Sequence, residues 1–183
     1  MKRKYTNCIN FEHTVFITEP YIDYLLSKHG FKQVAKKYFK DDHSIFYAYI
    51  KDSKTEIIEL PTMLYDHNKK LYLDYIDYHK KLIIDLNEGI NKVDNDQSIY
   101  LFGAHVFAQY LIEFGLDTSS IVCLLDNDIN KQGKRLYGTN MIVESPKILA
   151  DIKNPIIILK AGVYNDEIKR DILENINTGA KFL

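Results

Sequence analysis

Two stretches of the chain hold side chains whose types and spacing could do chemistry. Near the start, Glu12 and His13 stand side by side. An imidazole with a carboxylate neighbour can be held near neutral pKa as a general base, but adjacent residues of an extended segment point to opposite faces, so the two need not act on each other. The second stretch, Gly103 to Lys134, has the make-up of a phosphate or ribose site. Gly103-Ala104-His105 follows an apolar run, at the place where a first strand-to-helix turn aims backbone N–H groups at an anion. His105 could donate to a phosphate there or face solvent. Asp126 ends the next apolar run, where an acidic residue meets a ribose hydroxyl or else opens a turn in Asp126-Asn127-Asp128. Lys131 and Lys134, with Arg135, crowd the following loop around Gln132-Gly133, which suits a diphosphate or is simply a solvated, charged loop. Of the three glycines that mark a dinucleotide site, only Gly103 is in place.

The elements that must position these residues fall into three regions. Residues 1–60 open with Phe11-Glu12-His13-Thr14-Val15-Phe16, a strand or extended run. A helix follows, with Thr18 as N-cap, Pro20 in its first turn, and Gly30 closing it. Phe31 to Phe39 and Ser44 to Ile50 alternate like half-buried strands around a polar connection, which predicts a hairpin. Residues 61–97 place Leu64, Leu71, Tyr75, Tyr78, Leu82, Leu86 and Ile90 at helical spacing, a long amphipathic linking helix. The domain boundary is expected just before Ser98. Residues 98–183 alternate apolar runs with helical stretches: strands at Ile99–Phe102, Ile121–Leu125, Met141–Val143, Pro155–Leu159 and Ala180–Leu183, and helices at Ala104–Phe114, Pro146–Ile152 and Asn165–Ile176. Near-continuous apolar strands alternating with helices predict an α/β fold, a Rossmann-like parallel sheet covered on both faces.

Composition narrows the function classes. With 24 basic against 25 acidic residues, a net charge of -1 gives no field that would recruit nucleic acid or an anionic membrane. No apolar run is long enough to cross a bilayer. Met1-Lys2-Arg3-Lys4 resembles the start of a signal peptide, but polar residues stand where its apolar segment should be, so a cytoplasmic protein is expected. Cys8 and Cys123 read as two reduced thiols, and the remaining histidines show no metal-ligand spacing, so no metal site is expected.

Leu125-Asp126-Asn127-Asp128, Lys131-Gln132-Gly133-Lys134, Gly138-Thr139 and Ser145-Pro146, in this order and spacing, resemble the C-terminal domain of S-adenosylmethionine-dependent nucleotide-sugar C-methyltransferases. Gly103-Ala104 is similar to that domain's opening turn, and Asp166-Glu167-Ile168 to its acidic pair before a helix. Phe11 to Phe16 resembles the family's Glu-His motif, and Gly30-Phe31 its glycine-hydrophobe step, so the resemblance covers nearly the whole chain. It implies that Glu12 and His13 supply acid/base chemistry beside the sugar's keto group. It also implies that the C-terminal domain, with Gly103, His105, Asp126, Lys131 and Lys134 as candidates, helps hold a nucleotide sugar. Nothing here matches the family's zinc module or its cofactor loop. The resemblance therefore implies that no cofactor is bound by this chain alone, and that S-adenosylmethionine enters only if a separate methyltransferase-domain chain supplies the missing part. A non-catalytic assembly or binding module, or a split-gene remnant, derived from such an enzyme is the other expectation. The hairpin's apolar edge lacks a neighbour within the sequence, which predicts self-association or a partner there.

Overall fold

The computed structural model describes residues 1–5, 15–39 and 44–183. The chain forms two compact units, one made of Met1–Asn10 with Tyr72–Leu183 and the other of Phe11–Leu71.

The first is an α/β unit. Its five strands, β3 (Ile99–Phe102), β4 (Ile121–Leu125), β5 (Val143–Glu144), β6 (Ile156–Leu159) and β7 (Lys181–Phe182), form one parallel sheet in the order β5-β4-β3-β6-β7. Counted within the unit this is 3-2-1-4-5, the order of Rossmann-like sheets. β3 and β6 are buried along their whole length because both faces are covered. On one face Ile99, Leu101, Ile156 and Ile158 pack with Ile83, Leu86 and Ile90 of the long helix α2 (Leu64–Ile90) and with Ala108 and Leu111 of α3 (Val106–Glu113). On the other, Tyr100, Phe102, Ile157 and Leu159 pack with Leu149, Ile172 and Ala180. Burying each such aliphatic side chain contributes about 1.5–3 kcal/mol. β4 carries a bulge: Ile99 faces Ile121 but Leu101 faces Leu124, which sends Val122 outward and lets Cys123 and Leu125 join the second face.

Several elements differ from the sequence expectation. The segment after β5 is a 3₁₀ helix, Pro146–Asp151, in place of an α-helix, since a run this short does not offset the cost of helix nucleation. The expected helix 165–176 is α-helical only over α4 (Asn165–Asp171) and widens to a π turn at Ile172–Ile176. The third strand lies at Val143–Glu144, starting two residues and ending one residue later than the apolar run Met141–Val143 suggests. Where the sequence suggested a linking helix and a boundary before Ser98, the C-terminal half of α2 is part of the sheet's own core.

The second is a helix–hairpin unit. α1 (Glu19–Lys28) has proline near its start, and Thr18 precedes it in extended geometry, accepting from the Tyr21 and Ile22 N–H groups through its carbonyl, with no side-chain cap. β1 (Phe31–Phe39) and β2 (Ser44–Lys51) pair antiparallel, as the alternation predicts, with a bulge between Gln33 and Ala35. Among the described residues, no helix is long and apolar enough to cross a membrane.

Candidate functional site

In an open parallel sheet the ligand crevice lies beyond the carboxyl ends of the strands, where the strand order reverses. Here that point is between β3 and β6. β3 ends at Gly103, whose φ of +102° suits only glycine without strain. The turn does not present open donors to an anion. The Gly103 N–H donates to the Leu125 carbonyl at 2.7 Å, the Ala104 N–H to Asp126 Oδ2 at 2.9 Å, and the His105 N–H to the Gly103 carbonyl at 2.8 Å. Three successive N–H groups that a phosphate would use are bonded within the protein.

Asp126 is the centre of this closure. Its Oδ2 also pairs with Lys131 Nζ at 3.0 Å, its Oδ1 accepts from the Asp128 N–H at 2.9 Å, and its carbonyl accepts from Gln132 Nε2 at 2.9 Å. The structure thus brings Asp126 and Lys131 to the Gly103 turn, where the Ala104 N–H and Lys131 Nζ both meet Asp126 Oδ2. His105 precedes α3, exposed and without a side-chain capping bond, and Lys134 is exposed on the loop. Glu12 and His13 lie outside the described residues.

Two further features of the crevice carry little signal in the sequence. Phe102 is in register with Leu159, so Lys160 leaves β6 beside Gly103. Burial lowers the pKa of its ammonium group. The only sequence signal was a lysine ending an otherwise apolar strand. The second feature is Gly162, with φ +62°, where a Cβ would stand 3.4 Å from the Tyr5 ring. Tyr5 is anchored through its carbonyl, which accepts from Tyr75 Oη at 2.8 Å.

Beside the carboxyl ends of β4 and β5 lies a cleft of about 510 Å³, within the range of small-molecule sites. β5 is two residues long there, and the 3₁₀ helix that follows it lines one side of the cleft. Asn127, Gln132, Ser145 and Lys147 line it from the strand ends, and Asp171 and Asn175 from the helix opposite, over an apolar floor that includes Pro146, Ala150 and Ile176. Asn175 Nδ2 donates to Asp171 Oδ1 at 2.8 Å. The π turn brings Asn175 and Ile176 to the cleft, and such widened turns are frequent at functional sites. With one lysine and one aspartate among its lining residues, the cleft suits a ligand that is largely neutral and rich in hydrogen-bonding groups.

Away from the cleft, His79 is fully buried among Tyr75, Tyr78 and Tyr110, whose rings lie 4.3, 5.1 and 4.9 Å from its own. Its Nδ1 lies 2.9 Å from the Tyr75 carbonyl, which makes that nitrogen the proton donor. Burial lowers the imidazole pKa. Among the described residues no three His, Cys, Asp or Glu side chains gather as a metal ion would require. Compared with known proteins, the chain matches no family model and no curated sequence.

Proposed function

We propose that this chain is the acceptor-binding, C-terminal portion of a sugar C-methyltransferase, holding a nucleotide sugar and acting with a separate chain that carries the S-adenosylmethionine site. The observation that supports it most is the cleft beside β4 and β5: Asn127, Gln132, Ser145 and Pro146, which line it, all belong to the segments that resemble the family. The amides and hydroxyl would meet sugar or base groups over the apolar floor. The closed Gly103 turn leaves a diphosphate to be met by side chains. Glu12 and His13 would supply acid/base chemistry beside the sugar. Alone the chain should not methylate, because transfer needs the donor methyl and the acceptor carbon held in line at near-contact distance.

Calorimetric titration with nucleoside-diphosphate sugars and, separately, with S-adenosylmethionine tests this. Heat with a nucleotide sugar and none with the cofactor is expected. Ala150→Trp, at an exposed position on the cleft floor, should abolish the sugar signal while the circular dichroism spectrum stays unchanged. Silence with every nucleotide sugar would overturn the proposal. A second reading, an assembly module, is favoured by the helix–hairpin unit, whose described residues bury no large apolar side chain other than Leu64.

A further inference from the structure

We infer that the chain forms a two-fold dimer in which β2 pairs antiparallel with β2 of a second copy, joining two hairpins into one four-stranded sheet.

The need for a partner comes from burial. Among the described residues of the helix–hairpin unit only Ser27 and Leu64 are buried, and neither belongs to the hairpin. A lone two-stranded hairpin is marginal in water, and three or more strands with an apolar face are needed for independent stability. Among the described residues neither outer edge is paired with another strand.

Which edge is open follows from charge. β1 carries Lys32, Lys36 and Lys37, the kind of residue that guards an edge against pairing. β2 carries no charge from Ser44 to Ile50. A two-fold contact sets the same surface against itself. Two β1 edges would bring lysine against lysine, whereas two antiparallel β2 edges meet along the uncharged run Ser44–Ile50, with the two Lys51 residues at opposite ends.

The faces agree with the edges. Gln33, Lys36 and Tyr38 lie across from Tyr49, Tyr47 and Ile45, and this face meets α1: Tyr38 Oη donates to Glu19 at 2.7 Å, Tyr49 Oη to Asp23 at 3.0 Å, and Lys36 pairs with Glu19. The opposite face sets Lys32 across from Ile50, Ala35 from Ala48 and Lys37 from Phe46. On it Phe46 is 61% and Ile50 51% exposed. Placing two β2 strands at the centre makes Phe46, Ala48 and Ile50 of both copies a continuous apolar stripe, bordered on each side by Lys32 and Lys37. An apolar centre with a charged rim is the anatomy of a protein interface. An acidic partner would be drawn to β1; a strand edge uncharged from Ser44 to Ile50 fits another copy of itself.

Light scattering on the full chain tests this, together with the variants Phe46→Lys and Phe46→Glu. Native protein should have about twice the 21.4 kDa chain mass. Each variant alone, carrying like charges on both copies of the shared stripe, should dissociate at least tenfold more readily. Mixing the two variants should restore a 1:1 dimer, which a variant that had failed to fold could not do. Amide exchange should show β2 protected in the native protein and in the mixture but not in either variant. A native monomer, or a dimer that both variants leave intact, would overturn the inference.

Discussion

Replacing Asp126 separates a structural lock from a ligand contact. In Asp126→Ala the Ala104 N–H, on a residue only 6% exposed, loses its acceptor. Leaving a buried donor unsatisfied costs about 1–3 kcal/mol. The pair with Lys131, whose side chains are 13% exposed for the aspartate and 33% for the lysine, is partly screened and adds at most about 1 kcal/mol. The expected loss is therefore about 1–4 kcal/mol. At about 2–4 °C per kcal/mol for a chain of this length, Tm should fall by roughly 2–16 °C. Asp126→Asn keeps one acceptor for the Ala104 N–H and should cost about 1 kcal/mol, and Lys131→Met less than that. Urea unfolding read by circular dichroism gives the stabilities, and calorimetry gives nucleotide-sugar affinity for the same variants. If Asp126→Ala is as stable as the native protein within about 0.5 kcal/mol but binds the nucleotide sugar more weakly, the lock argument is wrong and Asp126 is a ribose contact.

Two further outcomes follow from buried titratable groups. His79 has its pKa lowered by burial, so its contribution to stability is fully present above the unfolded value of about 6.5 and is lost as pH falls below it. The urea midpoint should drop on acidification through this range, and His79→Gln should flatten the drop; an unchanged slope in the variant would assign the effect to other groups. Burial likewise pushes the Cys123 thiol up to about 11. In a Cys8→Ser background the native protein should resist a thiol reagent at neutral pH and react only at the rate of unfolding, and prompt labelling would contradict the burial.

The strands were legible because β3, β4 and β6 are covered on both faces and so read as short, nearly continuous apolar runs. The glycine turn was legible too, since Gly103 ends such a run. What became of its donors was not, because the answer lies with an aspartate 22 positions away. Ile83, Leu86 and Ile90 show helical spacing, but periodicity marks which face of a helix is apolar and not what that face meets. The cleft draws on three separate segments. Asn127, Gln132 and Ser145 lay in recognisable motifs, while Asp171 and Asn175 reached it through a π turn that no spacing rule announces. Lys160 carries no such signal, because its significance comes from register with β3, a property of the pairing and not of the local sequence.

The central position of β3 bears on how the sheet assembles. Ile99 pairs with Ile121 on one side and with Ile156 on the other, so the second contact closes a loop more than twice as long as the first. Each doubling of loop length costs about 0.6 kcal/mol in chain entropy before the four buried residues of β6 contribute anything. The placing of β7 depends on that one distant closure, because among the described residues it pairs only with β6. Strand β3 is thus a hinge in time as well as in space: the sheet is built outward from it in two directions of unequal difficulty, and non-local pairings of this kind slow folding far more than they weaken the folded state.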